Sequence, residues 1–206
     1  MRSFRLLIAH VVTNQSTMAA KLRALMLTSQ EKSQYEALGY AVVDPGLSMT
    51  EIDAAAKDVI PLFRPETSPA DTSGSVVAFR DASRVQDAWT VSNAVKRVAT
   101  SPALLRILQE LYQREPFAFQ TLNFRVGSQQ KVHSDTIHFN AMPSGFMCGV
   151  WVALEDIDME NGPVVYYPGS NRLPEVTLRD VIGRKEDEPS PTTRATAQFR
   201  GKPIDP

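Results

Sequence analysis

The stretch QTLNFRVGSQQKVHSDTIHF, residues 120–139, joins a β-strand pattern to side chains that can bind a metal ion. FAFQTLNFRVG (117–127) alternates with period two, which predicts a strand. His133 and Asp135 follow at a spacing of two, and residues i and i+2 project to the same side of a strand or its edge. A neutral imidazole and a carboxylate are two of the three ligands in the 2-His-1-carboxylate triad of Fe(II). The pair therefore predicts a metal site, although His-x-Asp also recurs by chance.

His138 lies close to this pair in the sequence but at an odd offset from His133. If the strand continued through it, its side chain would point away from His133 and Asp135. We therefore expect His138 to line the pocket wall or to support a ligand, and otherwise to be structural.

Composition limits the class of protein. The 206 residues are 43% apolar and 22% charged, which fits one domain with a full core. A net charge of -1 argues against a nucleic-acid surface, which needs a dense basic patch. The one cysteine, Cys148, excludes a disulfide framework within the chain, and its apolar neighbours predict a small buried residue. No apolar run approaches the roughly 20 residues of a membrane span.

Residues 1–27 form a basic N-terminal extension, with no acidic residue before Glu31. One interpretation is an organelle transit segment. The favoured one is an extended start, with translation beginning at Met18 or Met26, and His10 is then incidental. We expect a cytoplasmic protein, with an organelle as the alternative.

Helix signals dominate the chain up to residue 113. Residues 28–45 predict a helix, a turn at Gly39 and a short strand at YAVV (40–43). Ser48 or Thr50 caps a helix, and residues 61–76, with three prolines, predict a loop. Further helices are expected over 86–99 and 101–113. The apolar faces of the helices that begin near residues 48 and 101 comprise Ile52, Ala55, Ala56 and Ile60, and Leu104, Ile107, Leu108 and Leu111.

Strand signals follow the helical half. GFMCGVWVALEDI (145–157) and PVVYYPG (163–169) are apolar runs of β type at short spacing. Helices followed by strands predict an α+β chain with a sandwich or barrel. The last 23 residues, 184–206, carry four prolines and one aromatic residue, so we expect a disordered tail or an irregular surface segment there.

Several different short motifs follow one another along the chain in a specific order. They are Gln120 and Asn123, Gly127, His133-Ser134-Asp135, Trp151, Ala153-Leu154-Glu155-Asp156, Asn161-Gly162-Pro163 and Pro168-Gly169-Ser170. With this set, the sequence resembles the phytanoyl-CoA dioxygenase family of Fe(II)/2-oxoglutarate-dependent oxygenases over about residues 30–183. The two Gly-Pro and Pro-Gly motifs are better explained as turns that set strand register.

The resemblance implies a double-stranded β-helix core (jelly-roll, cupin-like) with N-terminal helices packed against it. It implies a domain over residues 28–183, between the extension 1–27 and a divergent tail 184–206. It also implies an enzyme that hydroxylates a small organic substrate, with substrate-lining residues in 61–76 and 139–146. No catalytic side chain is expected beyond the metal centre, and the oligomeric state stays open.

Four site residues carry over from the family by position. His133 and Asp135 match the first two iron ligands, and 2-oxoglutarate is the implied cosubstrate. Trp151 matches a position that borders the 2-oxoglutarate pocket, with core packing as the alternative. Gln120 matches a polar contact to cosubstrate or substrate, with a hydrogen-bonded strand amide as the alternative.

The family's third iron ligand, a distal histidine, has no counterpart after His138. Arginines follow, at residues 172, 179, 184, 194 and 200, and Asn171 stands where the family often has a histidine that is not usually an iron ligand. We therefore expect that the chain stops before the jelly roll is complete. The competing hypothesis is a non-catalytic jelly-roll module that binds a ligand or partner.

Overall fold

A computed structural model of the chain describes residues 6–14, 27–128, 130, 132–139, 145–160 and 162–174. The chain divides into two compact units. The first unit comprises Met1–Met26, Asp44–Ser128 and Met147–Pro163, and the second comprises Leu27–Val43, Gln129–Phe146 and Val164–Pro206. The expected tail, residues 184–206, lies outside the described residues, and the division at 28–183 stays a prediction.

Within its described residues, the first unit contains an antiparallel sheet and three α-helices. The strands are β1 (Leu6–Asn14), β2 (Phe79–Arg80), β3 (Arg84–Gln86), β4 (Glu115–Phe124) and β5 (Met147–Ala153), in the order β2-β3-β4-β1-β5. The α-helices in the part of the chain that the structure describes are α1 (Ser29–Leu38), which belongs to the second unit, and α2 (Met49–Val59), α3 (Asn93–Ala99) and α4 (Pro102–Tyr112). Helices and an antiparallel sheet confirm the α+β class, whereas the double-stranded β-helix stays a prediction.

Helix α2 begins at a capping box. Ser48 Oγ accepts from the Glu51 N–H at 3.3 Å, and the Glu51 carboxylate accepts from the Ser48 N–H at 2.9 Å. Its buried residues are Ile52, Ala55, Ala56 and Val59. The sequence predicted that Ile60 would join this face, which is wrong, because a 3-10 turn starts there and leaves Ile60 43% exposed.

Helix α3 is shorter than the predicted 86–99. Asp87 has a φ of 60°, a left-handed conformation that ends β3. The Asp87 N–H donates to the Thr121 carbonyl at 2.7 Å, and the Thr121 N–H donates to Asp87 Oδ1 at 3.1 Å. Pairing with β4 keeps residues 84–86 extended, and a 3-10 turn follows at Ala88–Thr90, so the helix starts only at Asn93.

Helix α4 forms as predicted. Ser101 is the residue before the first turn and Pro102 occupies its first position, where the missing N–H costs nothing. Leu104, Ile107 and Leu108 are buried, whereas Leu111 is half-buried. The amphipathic stripe therefore reports core packing.

The sheet has one face covered by helices. Val85 lies opposite Asn123 on the neighbouring strand, and both are fully buried. Val152 and Leu154 join residues of α2 and α3 in the same core cluster, and Val150 packs against it. We call this the helix-covered face. Cys148 is half-buried and not fully buried as predicted.

The opposite face carries Gln120, Leu122 and Trp151. Leu122 and Trp151 both lie opposite Ile8 of β1, and Gln120 is two residues from Leu122. All three side chains are half-buried. Phe124, two residues beyond Leu122, lies on this face as well and is buried.

Strand β1 was not predicted. It lies between β4 and β5 and pairs with both in antiparallel register, with an irregularity between His10 and Val11. The apolar run LLIAHVVTN is visible in the sequence, but its partners lie more than 100 residues away. The β2–β3 hairpin was missed for a different reason, because its strands have only two and three residues.

The second unit is built around α1, which buries no side chain. Gly39 ends it with a φ of 82°, as predicted, and the Asn171 side chain lies where a Cβ at residue 39 would be. Residues 40–43 form no strand, contrary to the prediction for YAVV. In PVVYYPG, only Tyr166 makes a β-bridge among the described residues 162–169.

The carbonyls at the C-terminal end of α1 are satisfied by one distant segment. Arg172 donates to the carbonyl oxygens of Glu36 and Ala37 at 2.7 and 2.6 Å. The Gly169 N–H donates to the Leu38 carbonyl at 2.6 Å, and the Tyr166 hydroxyl donates to that of Gly39 at 3.2 Å. These are the acceptors that a helix end leaves unpaired, so residues 166–172 act as its cap.

No helix within the described ranges is long and apolar enough to span a membrane.

Candidate metal centre

His133 and Asp135 are brought together in the second unit. His133 Nε2 lies 3.5 Å from Asp135 Oδ1, and both side chains reach solvent. Ser134 between them is extended, with φ −103° and ψ 135°, and Asp135 starts a 3-10 turn that ends at Ile137. The preceding strand, β4, ends at Phe124, so the pair lies outside any strand, but the i and i+2 side chains still meet.

The separation of these two atoms fits a shared ion. Two donors at about 2.1 Å from one ion are about 3.0 Å apart at a right angle and about 3.4 Å apart at the tetrahedral angle. The observed 3.5 Å is close to the second value and long for a direct hydrogen bond. Imidazole nitrogen and carboxylate oxygen together suit Fe(II). The donor set and its spacing thus fit the implied metal at two positions.

The position of His138 differs from expectation. The parity argument required a continuing strand, but the chain turns, and the His138 N–H donates to the Asp135 carbonyl at 2.9 Å. The His138 ring lies 5.6 Å from the His133 ring, centroid to centroid, at an interplanar angle of 71°. His138 therefore faces His133 and does not point away from it. Among the residues that the structure describes, no three His, Cys, Asp or Glu side chains already form a group that could hold a metal ion.

Gln120 and Trp151 lie in the first unit, on the same face of the sheet, with β1 between their strands. Their strands are therefore about 9–10 Å apart. Trp151 Nε1 is buried and has no hydrogen-bond partner in the described part of the chain. A buried indole N–H usually has a partner, which favours a binding role over simple packing. The cosubstrate roles of both residues stay predictions.

Asn123 does not share the face that carries Gln120. The spacing of three residues places it on the helix-covered face, where it is fully buried beside Thr121. Within the described residues, neither its amide atoms nor Thr121 Oγ1 has a hydrogen-bond partner. The two motif residues therefore cannot serve one pocket. Strand parity in the sequence was sufficient to separate them.

An ion pair between Asp71 and Arg80, which we call the loop latch, holds the loop predicted over 61–76. Asp71 Oδ1 accepts from the Ser73 hydroxyl and N–H, and Oδ2 accepts from Arg80 Nε at 3.0 Å. The Ser73 hydrogen bonds, followed by Arg80, lower the pKa of Asp71 to about 2. Two backbone hydrogen bonds between Asp71 and Arg80, of 2.8 and 3.0 Å, close the loop. Its lining role stays a prediction. In the other expected lining segment, residues 140–144 lie outside the described residues.

Comparison with known proteins adds an independent finding. A family model described as phytanoyl-CoA dioxygenase (PhyH) matches residues 35–201. The chain is 35% identical over 107 residues to "Phytanoyl-CoA dioxygenase domain-containing protein 1" of Danio rerio, covering 45% of this chain and 37% of the relative. It is 24% identical over 166 residues to "Phytanoyl-CoA dioxygenase, peroxisomal" of Bos taurus, covering 72% of this chain and 49% of the relative.

The matched parts thus span less than half the length of each of these two relatives. No solved structure matches the chain.

Proposed function

The chain belongs to the phytanoyl-CoA dioxygenase family, and we propose that it is an Fe(II)- and 2-oxoglutarate-dependent oxygenase that hydroxylates a small organic substrate. The family is generally dependent on these two cofactors. The observation that carries the proposal is the pair His133 and Asp135. It lies inside the matched range 35–201 and has the donor types and separation of a metal chelate.

Each residue of the pair has a separate role at the metal. Neutral His133 would donate a nitrogen lone pair, and Asp135 would donate a carboxylate oxygen that offsets one positive charge of Fe(II). His133 and Asp135 together would hold the iron, and a chelating cosubstrate would bind at positions that these two residues do not use. When bound, iron and 2-oxoglutarate supply the oxidising power, while the protein supplies placement and a dry pocket.

The pocket is proposed on the opposite face of the sheet. In a jelly roll, the helix-covered face would be the outside of the barrel and the opposite face its interior. Gln120 and Trp151 would then line that interior, with the Trp151 N–H available to an oxygen of the cosubstrate. The half-burial of both side chains supports this assignment, as does the buried Trp151 N–H, which has no hydrogen-bond partner among the described residues.

Succinate formation from 2-oxoglutarate tests the proposed activity. The purified chain is incubated with Fe(II), 2-oxoglutarate and oxygen, and the Asp135→Ala variant and the matched control Asp53→Ala are assayed in parallel. Asp53 is an exposed carboxylate of α2, outside the second unit. We expect turnover in the unchanged chain and in Asp53→Ala, and loss in Asp135→Ala.

A folded chain that binds 2-oxoglutarate but forms no succinate would contradict the oxygenase proposal. It would favour the non-catalytic ligand-binding module. Equal turnover in the Asp135→Ala variant would show that contaminating metal chemistry produces the succinate.

A further inference from the structure

We propose that the opposite face of the sheet carries a subsite for an uncharged hydrocarbon group of the substrate, centred on Gly149 and bordered by Phe117 and Met147. This inference rests on the proposed function. It deepens that function, because it assigns a chemical class to the part of the small organic substrate that does not react. The subsite lies wholly within the first unit.

A β-bulge in β4 changes which side chains lie on the opposite face. The residues of β1 pair one by one with those of β4 from Phe124 down to Gln120, and the next pairing skips to Ala118. Phe119 is therefore an extra residue, so that two residues of β4 oppose one of β1. One extra residue reverses the alternation of side chains in the part of the strand that precedes it. Phe117 thus shares a face with Gln120, whereas a regular strand would place these two side chains on different faces.

The burial pattern of β4 shows the same reversal. Thr121 and Asn123, on the helix-covered face, are buried, and so is Pro116. Pro116 is five residues from Thr121, and residues at an odd spacing lie on different faces of a regular strand. With the extra residue between them, Pro116 lies on the helix-covered face as well. Its neighbour Phe117 lies on the opposite face, where its side chain is 47% exposed.

Gly149 leaves a gap in the row of side chains along β5. Met147, Gly149 and Trp151 follow one another on the opposite face of this strand, because they pair with positions two apart on β1. Gly149 is exposed, whereas Met147 and Trp151 are half-buried. These two flanking residues are four positions apart, which is about 13 Å along a strand. Since a glycine inside a strand often marks the close approach of a ligand, the gap is a candidate binding position.

The gap has an apolar end and a polar end. Phe117 and Met147 both lie opposite Val12 of β1, so their strands are about 9–10 Å apart at the apolar end. Trp151 stands at the other end, where its buried Nε1 has no hydrogen-bond partner among the described residues. The apolar end therefore continues directly from a residue that the proposed function assigns to the pocket.

The chemistry of these residues defines the occupant. The phenyl ring of Phe117, the thioether chain of Met147 and the open backbone at Gly149 offer contact area without charge. A charged group placed against them would lose water without gaining an ion pair. A hydrocarbon group gains from burial, and each methylene that it buries raises the affinity about fourfold. The subsite therefore fits an alkyl or aryl group, with the polar end of the ligand toward Trp151.

Fluorine NMR of the full chain labelled with 5-fluorotryptophan tests this subsite. The chain has two tryptophans, and Trp89, which packs against the core cluster, serves as the internal reference. The probes are 1-butanol, 1-hexanol and 1-octanol, added without metal or 2-oxoglutarate. We expect the Trp151 resonance, assigned with a Trp89→Phe variant, to shift and saturate while the Trp89 resonance stays unchanged. The affinity should rise about fourfold for each added methylene.

Three variants locate the bound probe. Gly149→Val fills the gap with a β-branched side chain that suits a strand, so it should remove the Trp151 shift while the Tm is kept or raised. Phe117→Ser removes an exposed ring and should weaken 1-octanol binding about tenfold. The control is Val91→Ser, since Val91 is another apolar residue of the first unit and is 52% exposed. This variant should bind the probes as the unchanged chain does.

Each contrary result has a distinct meaning. Equal shifts of both tryptophans, or an affinity that does not depend on chain length, would overturn the subsite. Unchanged binding in both Gly149→Val and Phe117→Ser would overturn it as well. The succinate assay is independent of this titration. Chain-length-dependent binding without succinate formation would contradict the oxygenase proposal and support the subsite, whereas succinate formation without such binding would overturn the subsite alone.

Discussion

Ser92 links two helices of the first unit through a single hydroxyl, and Ser92→Ala is expected to destabilise that unit measurably. Ser92 is 4% exposed and stands before the first turn of α3. Its Oγ accepts from the Val95 N–H at 3.0 Å and donates to Asp58 Oδ2 of α2 at 2.7 Å. One substitution therefore removes a helix cap and a hydrogen bond to a carboxylate.

The size of the effect follows from these two contacts. Loss of a serine cap costs about 1 kcal/mol. A hydrogen bond to a charged group contributes about 1.5–3 kcal/mol, of which part is recovered because Asp58 is exposed and can bind water instead. We expect a loss of about 2 kcal/mol in unfolding free energy, which lowers the Tm by about 4–8 °C for a chain of this length.

The assay is urea and thermal unfolding followed by circular dichroism, with Ser48→Ala as the matched control. Ser48 also caps a helix, α2, and its hydroxyl donates to Glu51 Oε2 of the same helix at 2.7 Å, but this pair is exposed, so water replaces the hydrogen bond at little cost. The control should lose only about 1 kcal/mol. If Ser92→Ala destabilises no more than Ser48→Ala, the contact with Asp58 contributes nothing and the reasoning is refuted.

Three further predictions concern the cap of α1, the buried amide and the loop latch. Arg172→Ala should speed amide hydrogen exchange at the C-terminal end of α1, because the Glu36 and Ala37 carbonyls lose their donor; Arg106→Ala is the control, and equal exchange in both variants would contradict the cap. Asn123→Leu should keep or raise the Tm, since replacing an unpaired buried amide by an apolar group of similar size is neutral or stabilising; a loss of more than about 1 kcal/mol would show that the amide is hydrogen-bonded after all. The pKa of Asp71 is lowered from 3.8 to about 2 in the folded chain, so its contribution to stability is complete above pH 3.8 and is lost as the pH falls through about 2. The urea midpoints of the unchanged chain and of Asp71→Asn should therefore converge over that pH range. A constant difference between the two midpoints would refute the stabilising role of Asp71 in the loop.

The parts of the fold that could be predicted are those with local signals. Ser101, Pro102 and the apolar stripe define α4 without reference to any other element. The period-two pattern of β4 and the apolar run of β5 likewise lie within single segments. Strand β1 could not be found in this way, because its pairing partners are distant and its sequence also suits a leader segment.

The candidate site likewise has a part that local sequence signals predict and a part that depends on the fold. His133 and Asp135 were predicted from their spacing, and they meet although β4 already ends at Phe124. The parity argument for His138 held only for a continuing strand, and it does not apply because the chain turns at Asp135. The helix predicted over 86–99 started too early for a similar reason. The left-handed backbone of Asp87 depends on a hydrogen bond to Thr121 in another strand.

The metal centre at His133 and Asp135 is tested most directly by anaerobic titration of the purified chain with Fe(II) and 2-oxoglutarate. The readout is the weak visible charge-transfer band of the iron–cosubstrate chelate, with His133→Ala and His10→Ala measured alongside. The account predicts a band in the unchanged chain and in His10→Ala, and none in His133→Ala. No band in a folded chain, or a band of equal intensity in His133→Ala, would contradict it.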